Sequence, residues 1–349
     1  DLNMLIQGQW AKDFHPVHDI DEEGGFVRED AGFRNWITPD GNAGASGDAG
    51  FVAEAGRYHL YVALICPWAS RTLMARRLKG LEDVVSVTVL DPRLTDKVWR
   101  FGGHIDSLPG AEADPLYQLE YIFELYLRAR PDYTGQVTVP VLWDKKTETI
   151  VNNESSEIMR MFNSGFGELA DNRIDLYPEH LRNDIDKINR RLYHNFNNGV
   201  YRAGFATTQK AHDKAVKDVF NNLDFIEQLL EEGGFLVGNQ ITEADIRAFV
   251  TLIRFDLAYY GLFKTNMKRV QDYPNISAYM QRIYQLPGIS ETVNTEHIKA
   301  GYYSIRALNP SGIVPQGPVI DWLFPRSRST RFDRRSVVTL AKDSTTLEI

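Results

Sequence analysis

His59-Leu-Tyr-Val-Ala-Leu-Ile-Cys66-Pro-Trp-Ala-Ser-Arg-Thr-Leu-Met-Ala-Arg-Arg-Leu78 changes texture once, at its centre. The first seven residues are rich in β-branched, aromatic and aliphatic side chains and read as a short buried strand. Proline just after Cys66 suits the first position of a helix, where its missing N–H would have had no partner. Leu73, Met74 and Leu78 then recur on one side, which predicts an amphipathic helix. Cys66 is therefore expected at a strand-to-helix junction, facing the unpaired amides and the positive end of a helix dipole.

Working outward, Val84 to Leu90 alternates as a second strand and Pro115 to Arg128 has a helical pattern. Val137 to Trp143 and Thr147 to Val151 read as a hairpin around Lys145-Lys146, and Glu154 to Phe162 as a closing helix. The order β-α-β, α, β-β-α over residues 57–163 is that of a thioredoxin-like domain. Beyond it, Leu181, Ile185, Ile188, Leu192 and Phe196 recur at steps of three to four, as do Val216, Val219, Leu223, Ile226 and Leu230, the mark of bundle helices. Thr242-Glu-Ala-Asp245 is a capping-box variant ahead of an apolar run. The expected class is α/β plus all-α. Its parts are an extension and loop over 1–56, a thioredoxin-like domain over 57–165, an all-helical domain over 166–306, and a wrapping segment and tail over 307–349. Within the extension, Pro39 to Gly50 is expected to be a flexible glycine-rich loop.

With 349 residues, 43% of them hydrophobic and 25% charged, the chain can bury a sizeable core and is not a disordered or fibrous sequence. Its net charge of -8 gives no general attraction to nucleic acid or an anionic membrane face. No apolar run approaches the roughly 18 residues a spanning helix needs. The single cysteine excludes an internal disulfide and fits a reducing compartment. The cytoplasm is the expected location; the mitochondrion stays open, because a chain beginning at Asp1 could have had a targeting segment trimmed. His15 and His18, near Asp13, Asp19 and Asp21, lack catalytic-zinc spacing, so no metal site is expected.

A thiol at a helix N-terminus is favoured as thiolate. At the reference pKa of about 8.5 only about 3% is ionised at neutral pH, whereas a value near 6 would ionise about 90%. Position 69 is Ala69, so the second thiol of a Cys-x-x-Cys pair is missing and Cys66 cannot cycle through an internal disulfide. An external thiol must resolve any mixed disulfide, and glutathione is the abundant one in a reducing compartment.

Cys66-Pro67-Trp68-Ala69, Val137-Thr-Val-Pro-Val-Leu-Trp143, Asn152-Asn-Glu-Ser-Ser-Glu157, Gly199-Val-Tyr-Arg-Ala-Gly-Phe205 and Ala307-Leu-Asn-Pro-Ser-Gly-Ile-Val-Pro315 together resemble the glutathionyl-hydroquinone reductases, the Xi class of glutathione transferases. The resemblance covers roughly residues 5–318. Single motifs are shared more widely, the cysteine-proline start with omega-class transferases and glutaredoxins, and Val-Pro followed by Glu-Ser with glutathione transferases at large.

The resemblance implies a role for each matching position. Pro140 corresponds to the fold's cis-proline, leaving the backbone of Val139 to pair with the cysteinyl part of glutathione. Ser155 would hold the γ-glutamyl carboxylate and Glu154 the ammonium. Trp99 and Arg100 would lie over the tripeptide. Tyr201, Tyr302 and Tyr303 would line a hydroquinone pocket, with Tyr201 and Tyr302 also taking part in the chemistry beside Cys66.

The implied activity is reductive removal of glutathione from S-glutathionyl-hydroquinones through a Cys66–glutathione disulfide, with glutathione as co-substrate and glutathione disulfide released. A homodimer formed by the helical domains is implied as well. Two other readings stand beside it: an omega-like thiol transferase or dehydroascorbate reductase, and a non-enzymatic scaffold that binds aromatic ligands.

Overall fold

The computed structural model describes residues 4–10 and 31–323. The histidine and aspartate group between Asp13 and Asp21, and the arginine-dotted tail from Arg326 to Arg335, lie outside the described residues. The chain divides into two compact units, Asp1–Pro315 and Gln316–Ile349.

In the first unit, β1 (Met4–Ile6) and β2 (Gln9–Trp10) are followed by β3 (Tyr58–Val62), α1 (Pro67–Leu78), β4 (Ser86–Val89) and α2 (Ile122–Ala129). Then come β5 (Gly135–Gln136), β6 (Val141–Asp144), β7 (Thr149–Asn152) and α3 (Ser155–Arg160). Four of these strands form one mixed sheet in the order β4-β3-β6-β7, with β3 parallel to β4 and antiparallel to β6. Every residue of β3 and β6 is buried, which is why their sequences run apolar without alternating. Arg57, just before β3, donates to both carboxylate oxygens of Asp144 at the end of β6 and ties the two strand ends together.

Three expectations need correction. Pro115 to Tyr121 is not helical: the Asp114 carboxylate accepts the amides of Leu116, Tyr117 and Leu119, and Gln118 has φ 51°. The helix starts only after Tyr121, where Glu124 accepts the Tyr121 amide in a capping box. Pro39 to Gly50 is pinned, not slack. Thr38 Oγ1 donates to the Asn42 carbonyl, Ser46 Oγ to the Arg34 carbonyl, and the Gly50 amide to Gly41. Finally, α1 is not amphipathic. Nine of its twelve residues are buried, Ser70, Arg71 and Thr72 among them, because it packs against α3 on one side and the helical part of the chain on another.

That helical part comprises α4 (Arg182–Leu192), α5 (Gly199–Gly204), α6 (Gln209–Leu229), α7 (Glu243–Arg254), α8 (Tyr260–Leu262), α9 (Pro274–Tyr284) and α10 (Thr295–Tyr303). Ile185, Leu192, Val219, Leu223 and Ile226 form buried stripes at the expected spacing. The capping box at α7 is formed, the Thr242 hydroxyl accepting the Ala244 amide and Asp245 the Thr242 amide. The turns Tyr193–Asn197 and Phe255–Tyr259 widen into π geometry before α5 and α8, a form often found beside functional sites.

Two contacts bring the helical part onto the junction that carries Cys66. α1 packs on α7, and α10 crosses at Gly301, where an added Cβ would stand 2.6 Å from Ile65 Cδ1 and 2.7 Å from the Pro92 carbonyl oxygen. Only glycine permits so close an approach.

Candidate active site

Cys66 is the N-cap of α1, in extended conformation (φ -76°, ψ 118°), and Pro67 follows at the helix start. Its Sγ accepts the Ala69 amide at 3.4 Å and lies 3.7 Å from the Val139 carbonyl oxygen. An amide aimed at sulfur and a helix dipole beneath it both favour the anionic form. The residue is 8% exposed, and what exposure it has faces a cavity of about 480 Å³, within the size range of small-molecule sites.

Of the residues expected at the site, Cys66, Trp99, Val139, Pro140, Glu154, Ser155, Tyr201 and Tyr302 all line this cavity. The Val139–Pro140 peptide bond is cis. Glu154 is the N-cap of α3, its Oε1 accepting the Ser156 amide and hydroxyl, and Ser155 is the first helical residue. Trp99 comes from the long segment between β4 and α2, held by bonds from the Ile122 amide to its carbonyl and from the Leu94 amide to Ser304 Oγ.

Arg100 and Tyr303 are not among the lining residues. The Arg100 guanidinium turns to Asp106, at 3.2 Å, with Glu120 beyond it. Tyr303 is half-buried, with its hydroxyl against Gly261. Adjacent helical residues point about 100° apart, and here Tyr302 faces the cavity while the Tyr303 hydroxyl turns toward Gly261.

The tyrosines are joined. Tyr302 Oη lies 2.5 Å from Tyr201 Oη and 2.7 Å from Tyr259 Oη. Tyr259 escaped sequence reading because it sits in a run of core-like residues, Phe255 to Tyr260, with no motif to mark it. Burial raises the Tyr259 and Tyr302 phenols well above their ordinary value, so both are neutral donors at physiological pH. Around them, Tyr201 stacks on Trp68 (centroids 6.2 Å, 29°) and on Phe205 (4°), giving one aromatic wall.

Arg71 was also missed. It is 1% exposed, lies over the Trp68 ring at 4.5 Å and lines the cavity, yet its Nε and Nη2 make no hydrogen bond. Burial, with the charge of Arg247 nearby, makes its cation costly. A helix position flanked by Ser70 and Thr72 reads as a solvated face, which hid it. Among the described residues no group of three His, Cys, Asp or Glu side chains could hold a metal, and no helix is long and apolar enough to cross a membrane.

A thioredoxin-like domain with its cysteine on the first turn of α1, a cis-proline opposite, and an all-helical part closing the cavity define a glutathione transferase. The family model described as glutathione S-transferase, N-terminal domain, matches residues 65–164, and that described as glutathione S-transferase, C-terminal domain, matches residues 209–282. The chain is 50% identical over 333 residues to the glutathionyl-hydroquinone reductase YqjG of Escherichia coli (strain K12), covering 95% of this chain and 100% of the relative. It is 43% identical to the glutathionyl-hydroquinone reductase PcpF of Sphingobium chlorophenolicum, over 91% of this chain and 96% of that one. Among solved structures, the glutathione-bound YqjG matches with a TM-score of 0.84 at 48% identity, over 94% of this chain and 100% of that one. The glutathione-S-transferase Xi from Phanerochaete chrysosporium matches with a TM-score of 0.82 at 49% identity, over 87% and 96%. The chain belongs to the glutathionyl-hydroquinone reductases, the Xi class of glutathione transferases.

Proposed function

We propose that the protein reduces S-glutathionyl-hydroquinones to hydroquinones with glutathione as co-substrate, using Cys66 as the nucleophile. The observation that carries this reading is one cysteine sulfur sharing a cavity with a hydrogen-bonded tyrosine pair. An aryl thioether is a poor electrophile at sulfur, since the aromatic carbon would leave as a carbanion. When the hydroquinone is held as its keto tautomer, protonated at the sulfur-bearing carbon, that difficulty disappears. The Cys66 thiolate attacks the glutathionyl sulfur, the carbon–sulfur bond breaks, and its electron pair passes through the ring to oxygen as a phenolate.

Tyr201 is placed to stabilise that oxygen, as a donor in an oxyanion hole does, and Tyr302 to support it from behind through their shared hydrogen bond. Either oxygen of each pair can donate, and in the arrangement where Tyr259 donates to Tyr302 and Tyr302 to Tyr201 the Tyr201 proton is left for the substrate oxygen. The Cys66–glutathione disulfide is then attacked by the thiolate of a second glutathione, which releases glutathione disulfide and restores Cys66. Net, the thioether sulfur of the substrate and the thiol of one glutathione are oxidised to the disulfide, and the ring carbon is reduced.

Glutathione is held along Trp99, Val139 and Pro140, its ammonium at Glu154 and its γ-glutamyl carboxylate at Ser155 with Arg71. A carboxylate beside Arg71 would supply the anion that its buried guanidinium lacks. Arg100 and Tyr303 have no part in this scheme. The working form is a homodimer, the location cytoplasmic, and the thioredoxin-like and helical domains divide near residue 165.

The test is a competition among a glutathionyl-hydroquinone, dehydroascorbate and a mixed disulfide, scored by kcat/KM with products quantified. One glutathione disulfide per hydroquinone, with the hydroquinone adduct preferred, is expected. A preference for dehydroascorbate would give the omega-like reading instead.

A further inference from the structure

Arg254, the last residue of α7, is 2% exposed and reaches across to the turn that delivers Cys66. Its Nε donates to the Ile65 carbonyl at 2.7 Å, and its Nη2 to the Leu64 carbonyl at 2.8 Å, to Ser70 Oγ at 2.6 Å and to the Cys66 carbonyl at 3.4 Å. Nη1 closes back on Val250 at 2.9 Å within its own helix. Three consecutive carbonyls of one turn are thus read by a single planar fork. They are the three that set the direction from which the chain enters α1.

Every one of these acceptors is neutral. An arginine is always charged, and a buried charge is ordinarily matched by a carboxylate. No ion pair among the described residues includes Arg254, although the chain forms such pairs readily elsewhere, as at Arg57 and Asp144. The group on that turn able to carry negative charge is the sulfur of Cys66, whose own carbonyl accepts from Nη2. The same charge acts on Tyr259 and Tyr302, opposing part of the upward push of burial.

We propose that Arg254 is the positioning residue of Cys66 and the buried counter-charge of its thiolate. This rests on the reading of Cys66 as the nucleophile. The fork holds the strand-to-helix turn so that sulfur meets the first amides of α1, and the unmatched cation makes the anion the favoured state there. The other ionisable groups around the cavity are Arg71, Tyr133, Glu154, Tyr193, Tyr201 and Tyr302. Arg71 adds a second favourable charge, Glu154 opposes it, and burial holds the Tyr302 phenol well above its ordinary value. Replacing Arg254 alone therefore isolates its share.

The experiment is the rate of Cys66 alkylation by iodoacetamide against pH, with kcat and KM for a glutathionyl-hydroquinone, in the wild type, Arg254→Gln and Arg254→Lys. Near-ultraviolet circular dichroism reports whether each variant folds. In Arg254→Gln the alkylation midpoint is expected to rise by about one pH unit or more, the scale on which neighbouring charges move a thiol. Arg254→Lys keeps the charge without the fork. Its midpoint is expected to stay within about half a unit of wild type, while kcat falls about tenfold and the KM for the glutathionyl-hydroquinone changes less than about threefold, the pattern of a displaced reacting group. A folded Arg254→Gln with an unshifted midpoint overturns the proposal. If Arg254→Gln does not fold, an unchanged kcat in Arg254→Lys overturns it. Alkylation needs no hydroquinone, so a wild type that titrates as described but releases no hydroquinone would sink the proposed function and leave the role of Arg254 standing.

Discussion

The hydroxyls of Tyr201 on α5 and Tyr302 on α10 lie 2.5 Å apart, although 101 residues separate them in sequence. Two helices from different parts of the chain thus place their phenols together on the wall of the cavity that contains Cys66. Tyr259 stands behind Tyr302 at 2.7 Å, fully buried, and so steadies the pair from the protein side.

Removing both front hydroxyls, in Tyr201→Phe with Tyr302→Phe, should slow hydroquinone release by about 10²–10³ in kcat, the usual loss for an oxyanion donor. Reduction of a simple disulfide needs no phenolate and should be largely spared. Tyr259→Phe removes one bond behind the pair and should cost only about fivefold, equivalent to about 1 kcal/mol. Parallel assays of the two substrates read this out, and equal losses on both would point to a shared structural role.

Arg71 offers a prediction in which stability and activity move in opposite directions. Its buried nitrogens lack partners, so Arg71→Met should leave the Tm unchanged or raise it. The same substitution should raise the KM for glutathione about tenfold or more, by removing a charged partner of a carboxylate. An unchanged KM, by steady-state kinetics, would remove Arg71 from the glutathione site.

Gly301→Ala should be costly. Its Cβ would meet Ile65 and the Pro92 carbonyl at 2.6 and 2.7 Å, and a backbone oxygen cannot be turned aside as a flexible side chain can. A loss of about 1–3 kcal/mol is expected from denaturant unfolding. Because Ile65 precedes Cys66, alkylation of the thiol should change as well.

Acid stability separates two buried groups. His59, between Ser86 Oγ at 2.6 Å and Thr88 Oγ1 at 2.7 Å, is lowered by burial to about 4. The unfolded chain takes up that proton below about 6.5 and the folded chain refuses it, so this contribution to stability is lost as pH falls from about 6.5 to about 4. Asp245 behaves oppositely. Burial raises it to about 6 despite bonds from Tyr279, Leu236 and Thr242, so its folded form is protonated where the unfolded form is not, and stability falls as pH rises from about 4 to about 6. Urea unfolding at pH 4.5 and 7 should show His59→Gln losing less on acidification than wild type, and Asp245→Asn losing more, each by up to about 1.4 kcal/mol per pH unit.

Much of this was readable from local sequence. Strand, cysteine, proline and helix follow one another in Tyr58 to Leu78, and each has its own chemical signal there. Thr242 and Asp245 announce the start of α7 in the same way. What stayed hidden depends on contacts between distant segments. Asp114 diverts the chain from helix by accepting three amides, although Pro115 to Tyr121 contains adequate helix formers. β1 and β2 are too short to read alone and exist as strands because β5 pairs with β1. Tyr259 and Arg254 look like one more aromatic in an apolar run and one more surface cation, until the fold sets Tyr259 behind Tyr302 and the packing of α7 on α1 brings Arg254 to the turn that carries Cys66. Arg100 and Tyr303 show the converse, since a neighbour in a motif need not share its direction.

The central claim is that Cys66 carries the glutathionyl group between the two half-reactions. Intact mass spectrometry of the enzyme quenched after one equivalent of glutathionyl-hydroquinone, with no free glutathione present, tests it most directly. The expected product is protein heavier by a single glutathionyl group, mapped to Cys66, with one hydroquinone released per adduct, and no such species in Cys66→Ala. Hydroquinone release from unmodified protein, or turnover that persists in Cys66→Ala, would contradict it.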